Sequence, residues 1–210
     1  MFSLITEPAV LDTAFLLFVD GLAFTTLILL IWIPLFWFVF HPAIRTWRRI
    51  GRRAFWVALP VWLGCAASFI LARHWLFARR VERNALTWVT GGLLFSISLW
   101  LESKTRRTLG WRRLLGIPEV DPRDRASGVV REGIYAHLRH PRYLLYMLTL
   151  LSVALLSGAV AIFLLAILNV LMYQILARFE ERALLNQYGH EYESYQRSVP
   201  RFLPRFGRSR

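Results

Sequence analysis

The chain has one cysteine, Cys65, and one lysine, Lys104, in 210 residues. A lone cysteine excludes an intramolecular disulfide and any cysteine-based metal cluster. Set inside an apolar run, Cys65 reads as a small buried hydrophobe, and no metal site is expected. Gly-x-Gly occurs nowhere, which argues against a Rossmann dinucleotide site and a phosphate-cradling P-loop. Acidic residues are scarce, 13 against 26 basic ones. No repeat of fixed period and no low-complexity linker divides the chain. The N-terminus lacks the positive region of a cleaved signal peptide and begins instead with Glu7, Asp12 and Asp20.

What is abundant is apolar surface together with arginine. The chain is 56% hydrophobic, with a mean hydropathy of +0.43 and a net charge of +13, whereas soluble domains average about 45–50% apolar residues. This pairing implies a membrane protein with basic loops; no nucleic-acid partner is expected. Residues 21–40, 54–72 and 85–101 are uncharged runs of near-spanning length, since a core of ~30 Å needs about 20 helical residues. Pro34 should kink the first. The run 143–177 has no charge and is too long for one span. Ser157-Gly158 near its middle predicts a tight turn between spans at about 143–156 and 159–177. The expectation is an all-α integral membrane protein of about five transmembrane helices. A C-terminal cytosolic amphipathic helix and an extended strap follow.

Orientation follows the arginine bias. Loop 41–53 holds five Arg, segment 102–142 nine, and the tail from Arg178 seven. Five spans with a cytosolic tail place all three inside. Loop 73–84 disagrees, because it would lie outside yet holds Arg73, Arg79, Arg80 and Arg83.

Two patches carry ligand-grade residues. The first, 133–143, contains Gly133, Tyr135, Arg139, His140, Pro141, Arg142 and Tyr143. Pro141 suits the first turn of a helix. That places His140 at a helix N-terminus, where orphan N–H groups favour an anion. The same residues, with Tyr146, also fit a basic interface cluster with an aromatic belt. In the second patch Leu184, Tyr188, Tyr192 and Tyr195 form a helical stripe that Gly189 can break. Glu180 and Glu181 precede the stripe. They read either as a solvated pair or as carboxylates for an ammonium or ribose hydroxyls. Val199-Pro200 and Pro204 mark the strap.

In order and spacing these patches resemble the isoprenylcysteine carboxyl methyltransferase family and its relatives, the membrane phospholipid methyltransferases. The shared pattern is Gly-x-Tyr, Arg-His-Pro-x-Tyr, a hairpin, Glu-Glu-x-x-x-Leu, Gly-x-x-Tyr-x-x-Tyr and Val-Pro, here Gly133 to Pro200. The resemblance covers residues ~127–204, and without a repeat or linker the chain reads as a single membrane domain over 1–210. Three spans and a basic loop occupy 1–126, and a cofactor-binding region occupies 127–204. It implies S-adenosylmethionine bound from the cytosolic side by Ser127, Gly128, Val129, Val130, Tyr135, His140, Pro141, Arg142, Tyr143 and Glu180. Glu181, about 100° further round the helix, is assigned a lesser role unless it braces an arginine such as Arg178 or Arg139. Arg139, Arg178 and Gln174 are the candidates beside the transferred methyl. The implied partners are membrane lipids and a lipophilic or lipid-modified acceptor. Two positions depart from the family pattern. Leu145 replaces a common glycine, and Leu176 replaces the arginine that meets the acceptor in prenylcysteine methyltransferases. A membrane sterol or steroid reductase using NADPH and a non-catalytic scaffold are the alternatives.

Overall fold

The computed structural model describes residues 7–40, 49–114 and 128–203. The described residues include these α-helices, in order: α1 Glu7–Leu30, α2 Trp32–Phe40, α3 Ala54–Leu76, α4 Ala85–Leu114, α5 Pro141–Ser157, α6 Val160–Tyr188 and α7 His190–Ser198. Among the described residues there is no strand, only an isolated bridge between Arg80 and Ala159.

Among the described residues four stretches are long and apolar enough to cross a membrane: Thr13–Phe38, Leu59–Leu76, Ala85–Trp111 and Val160–Tyr188. The first combines α1 and α2. Its break falls at Ile31, three residues before Pro34, because proline has no N–H for the carbonyl one turn back. The fifth expected segment, α5, is apolar but has 17 residues. At 1.5 Å per residue it covers about 26 Å, a few ångströms short of a typical core. It lies centrally, packed against α4, α1 and α6.

Close approach of α4 and α5 depends on a small residue. A Cβ on Gly91 would lie 2.8 Å from Leu156 Cδ2, and Ser152 Oγ donates to the Gly91 carbonyl at 2.8 Å. Small residues and such hydrogen bonds stand in for the hydrophobic effect, which cannot drive association in lipid. By contrast α3 exposes Trp56, Val61, Leu71 and Trp75, as a hydrocarbon-facing helix does.

The turn between α5 and α6 forms at Gly158, whose φ is +66°. A Cβ there would meet the Val81 carbonyl oxygen at 2.8 Å. The 79–81 segment pairs with this turn through Val81 N–H to Gly158 O and Val160 N–H to Arg79 O. Arg80 donates twice to Asp20, each at 2.8 Å, and once to the Ser157 carbonyl. Arg83 lies over the Trp88 ring. Two of the four arginines that disagreed with the charge bias are thus engaged in holding this end of the bundle together.

At the opposite end α6 continues unbroken past Glu180 and Glu181 to Tyr188. Twenty residues separate Val160 from Glu180, about 30 Å of helix. Gly189, at φ +52°, ends α6 and starts α7. The expected stripe survives this break: Tyr192, Tyr195 and Val199 cluster with Val129, Leu184, Leu185 and Tyr188. The strap then returns to the hairpin. Arg139 N–H donates to Pro200 O and His140 N–H to Arg201 O.

Candidate functional site

The two sequence patches meet at the α5–α6 end of the bundle. Glu181 is at its centre, with a side chain only 3% exposed. Its Oε1 lies 3.2 Å from His140 Nε2 and 2.9 Å from Arg201 Nε. Its Oε2 accepts from Gln196 Nε2 at 3.2 Å and from Arg201 Nη2. Arg139 Nη2 completes the cluster, 3.2 Å from Oε1. A buried carboxylate is tolerated only when paired and hydrogen-bonded on this scale.

Glu180 differs. Its side chain is 33% exposed, and it accepts the Tyr143 hydroxyl at 2.6 Å. Its Oε2 also lies 3.5 Å from His140 Nδ1. His140 therefore sits between two carboxylates, one at each ring nitrogen. Burial opposes charge on the imidazole, but the bonds to Glu180 and Glu181 outweigh it and raise its pKa above the ordinary value. Both nitrogens facing carboxylates requires both to carry protons, the imidazolium form. The ring stacks on Tyr143, with centroids 5.2 Å apart and planes 10° apart. Tyr143 in turn stacks on Tyr173 at 4.8 Å.

The segment before α5 reaches the site from the other side. Gly133 takes φ +57°, and a Cβ there would lie 2.3 Å from Thr108 Oγ1, so only glycine fits against α4. The following 3₁₀ turn, Gly133–Ala136, brings in Tyr135, whose carbonyl accepts the Tyr195 hydroxyl at 2.7 Å. Burial pushes the Tyr135 phenol well above its ordinary pKa. Arg131 pairs with Glu191 on α7, and Val129 N–H donates to the same carboxylate. Gly128, Val129, Val130, Arg131, Glu132 and Arg113 line a cavity of about 390 Å³. Small-molecule sites generally span about 300–1,000 Å³.

Set against the sequence expectations, Gly128, Val129 and Val130 line this cavity, while His140, Pro141, Tyr143 and Glu180 gather at the head of the hairpin. Ser127 lies outside the described residues. Arg139 is committed to Glu181 and to the Gln196 carbonyl at 3.3 Å. Gln174 is half-buried and Arg178 exposed on α6, and neither joins the Glu181 cluster. Arg142 donates to the Tyr146 hydroxyl at 3.1 Å. The N–H groups of Arg139 and His140, just before the helix, are taken by strap carbonyls. Leu176 is fully buried beside Met147 and Tyr173, so an apolar contact occupies the position of the prenylcysteine enzymes' arginine.

Sequence reasoning missed Arg201 and Gln196 as partners of Glu181, because contacts between segments 15 or 20 residues apart leave no periodic signal. It also passed over Asn169 and Tyr173, polar residues within an otherwise apolar run, which was itself the available signal.

The residues fit an S-adenosyl cofactor in kind. Glu180 offers a partly exposed carboxylate for an ammonium or ribose hydroxyls, Tyr135 offers an aromatic ring, while the Tyr143 ring is taken by His140 and Tyr173, and the cavity of Gly128–Glu132 adjoins Tyr135 in sequence. A family model described as phospholipid methyltransferase matches residues 86–191. The match begins at α4, well before the cofactor-binding region delimited from sequence. The cobalt-zinc-cadmium resistance protein CzcN of Cupriavidus metallidurans is 28% identical over 158 residues, covering 70% of this chain and 71% of that protein. No solved structure matches.

Proposed function

The chain belongs to the phospholipid methyltransferase family, and on that premise we propose that it transfers a methyl group from S-adenosylmethionine to a lipophilic acceptor at the membrane. The observation that carries this reading is the division of labour between adjacent carboxylates, Glu181 buried among Arg139, His140, Arg201 and Gln196, and Glu180 held by Tyr143 and His140 with a third of its side chain open.

Glu180 binds the cofactor's ammonium or ribose hydroxyls. Tyr143 and His140 fix its rotamer, so the carboxylate is oriented before the ligand arrives. Tyr135 gives the aromatic wall, and the backbone of Gly128, Val129 and Val130 lines the adenosine end. Pro141 sets the start of α5 and so the position of His140. When bound, the cofactor would supply an electrophilic methyl on a cationic sulfur for an acceptor lone pair, with the neutral thioether as leaving group. The chain's contribution is alignment, and orientation of two reactants is worth up to about 7–11 kcal/mol of barrier. A carboxylate acceptor has no proton to lose, whereas an amine or thiol does. The acceptor approaches laterally between helices, and the Glu180 end with the C-terminal strap faces the cytosol, in keeping with the arginine bias.

The test is transfer itself. Protein reconstituted in vesicles is incubated with methyl-labelled S-adenosylmethionine and a lipid extract. Label should enter the organic phase, and Glu180→Gln should reduce it about tenfold, a loss of about 1.4 kcal/mol. NADPH oxidation with no label transferred would replace this reading with the reductase one.

A further inference from the structure

Residues 128–132, which line the cavity, form neither helix nor strand. Gly128 opens the segment at φ +86°, a conformation that suits glycine. Among the described residues, the hydrogen bonds that tie residues 128–131 to another element all end on Glu191, in the first turn of α7. Val129 N–H donates to Glu191 Oε1 at 3.4 Å, and Arg131 Nη2 donates to the Glu191 carbonyl. The same Nη2 lies 3.6 Å from Glu191 Oε1. A Cβ on Gly128 would stand 3.7 Å from that oxygen. Glu191 thus touches the loop where the cavity begins, without itself lining the cavity. The rest of α7 packs around this contact. The Arg131 guanidinium is 5.8 Å from the Tyr195 ring centroid, and the Tyr195 hydroxyl donates to the Tyr135 carbonyl at 2.7 Å.

Two ordinary roles do not account for this carboxylate. An acidic residue suits the first turn of any helix, where the dipole is positive, but Glu193 meets that need in the same turn. Glu193 pairs within its own helix, with Arg197 four residues on, whereas Glu191 reaches back 62 residues to Val129. Global stability is a poor explanation as well. The Arg131 and Glu191 side chains are 43% and 49% exposed, and ion pairs so open to water add little to the folded state. The effect of Glu191 is local. It fixes the backbone of the loop in one shape before a ligand arrives, and a site ordered in advance loses less on binding.

We propose that Glu191 is a positioning residue for the cofactor: from α7 it holds Val129 and Arg131 so that the Gly128–Glu132 loop is shaped for the adenosine end. It touches neither the cofactor nor the reacting atoms and acts through the loop backbone. This rests on the methyltransferase reading, in which that loop lines the adenosine end.

The experiment titrates detergent-solubilised protein with S-adenosylhomocysteine and with 5′-methylthioadenosine, which keeps the adenosine end and lacks the amino-acid end. Glu191→Gln should weaken both by the same factor, about fivefold, the upper end for a half-exposed ion pair. Glu193→Gln removes the same charge from the same turn and should leave both affinities within about twofold. Both variants should melt within about 3 °C of wild type. In the methyl-transfer assay Glu191→Gln should raise KM for S-adenosylmethionine about fivefold and keep kcat within about twofold, as expected when binding is lost equally before and at the transition state. Arg131→Gln breaks the same contact from the loop side and decides the matter if Glu191→Gln does not fold. Equal effects of Glu191→Gln and Glu193→Gln would overturn the proposal, as would weaker S-adenosylhomocysteine with 5′-methylthioadenosine unaffected. A large drop in Tm accompanying the loss of affinity would make Glu191 merely structural and overturn it too. A wild type that binds neither ligand would sink the methyltransferase reading and this proposal with it.

Discussion

Glu180 and Glu181 are chemically identical neighbours that the fold separates by about 100° of helix. One side chain is 33% exposed and the other 3%. Their substitutions should therefore fail differently. Glu181→Gln strands Arg139, His140 and Arg201, and breaking a buried charge cluster costs about 3–5 kcal/mol. Thermal unfolding should show a large drop in Tm, while Glu180→Gln should melt near wild type and lose ligand affinity instead. Equal melting temperatures for the two variants would contradict the assignment. The presence of two functional-grade carboxylates was legible in the sequence. Which one is buried depended on Arg201 and Gln196 arriving from the strap and α7, and the greater structural weight of Glu181 emerges only with them in place. Of the two arginines that could brace it by sequence, Arg178 and Arg139, it is Arg139 that does.

His140 gives the cluster a pH dependence. Its folded pKa is raised above the ordinary value of about 6.5. The stabilisation is complete below the unfolded pKa and is lost as pH rises through the folded one. The melting-temperature gap between wild type and His140→Gln should be widest near pH 6 and shrink toward alkaline pH. A gap that widens with pH would mean that His140 is held neutral.

At the scale of elements, the hairpin turn was legible because Ser157-Gly158 interrupts an uncharged run, and its φ of +66° explains the glycine. The strap was legible only as a strap. Its pairing with residues 139 and 140 is made by backbone groups, which any sequence supplies, so no residue pattern announces it. The adjacent glycines of α4 give a test of packing with opposite signs. A Cβ on Gly91 would strike Leu156 and approach the Ser152 carbonyl to 3.3 Å, whereas Gly92 has nothing within 4 Å. Gly91→Ala should lower stability by about 1–3 kcal/mol, the usual range for overpacking. Gly92→Ala should be neutral or stabilising by about 0.5–1 kcal/mol through helix propensity. Denaturant unfolding of both variants checks this, and a shared sign would show that α4 and α5 do not meet at Gly91.

For the whole molecule, the arginine-rich 73–84 loop had weighed against a simple reading of charge. Arg80 pairs there with Asp20 across 60 residues of sequence, so charge count overstated what was available to set topology. Fusions of a reporter at residue 210 and in loop 41–53 should report the same, cytosolic side, and a reporter inserted in loop 77–84 the opposite one. The two ends of the bundle then have separate tasks. The Asp20–Arg80–Gly158 end ties helices together, and the Glu180–His140–Tyr143 end, about 30 Å of helix away, is the one proposed to take the ligand.

The central claim is that this second end binds an S-adenosyl cofactor through Glu180. Calorimetric titration of the purified protein and its Glu180→Gln variant with S-adenosylhomocysteine, and separately with NADPH, tests it most directly. The account predicts saturable binding of S-adenosylhomocysteine, weakened about tenfold by the substitution, and no heat from NADPH. Binding of NADPH alone, or S-adenosylhomocysteine affinity indifferent to Glu180, would contradict it.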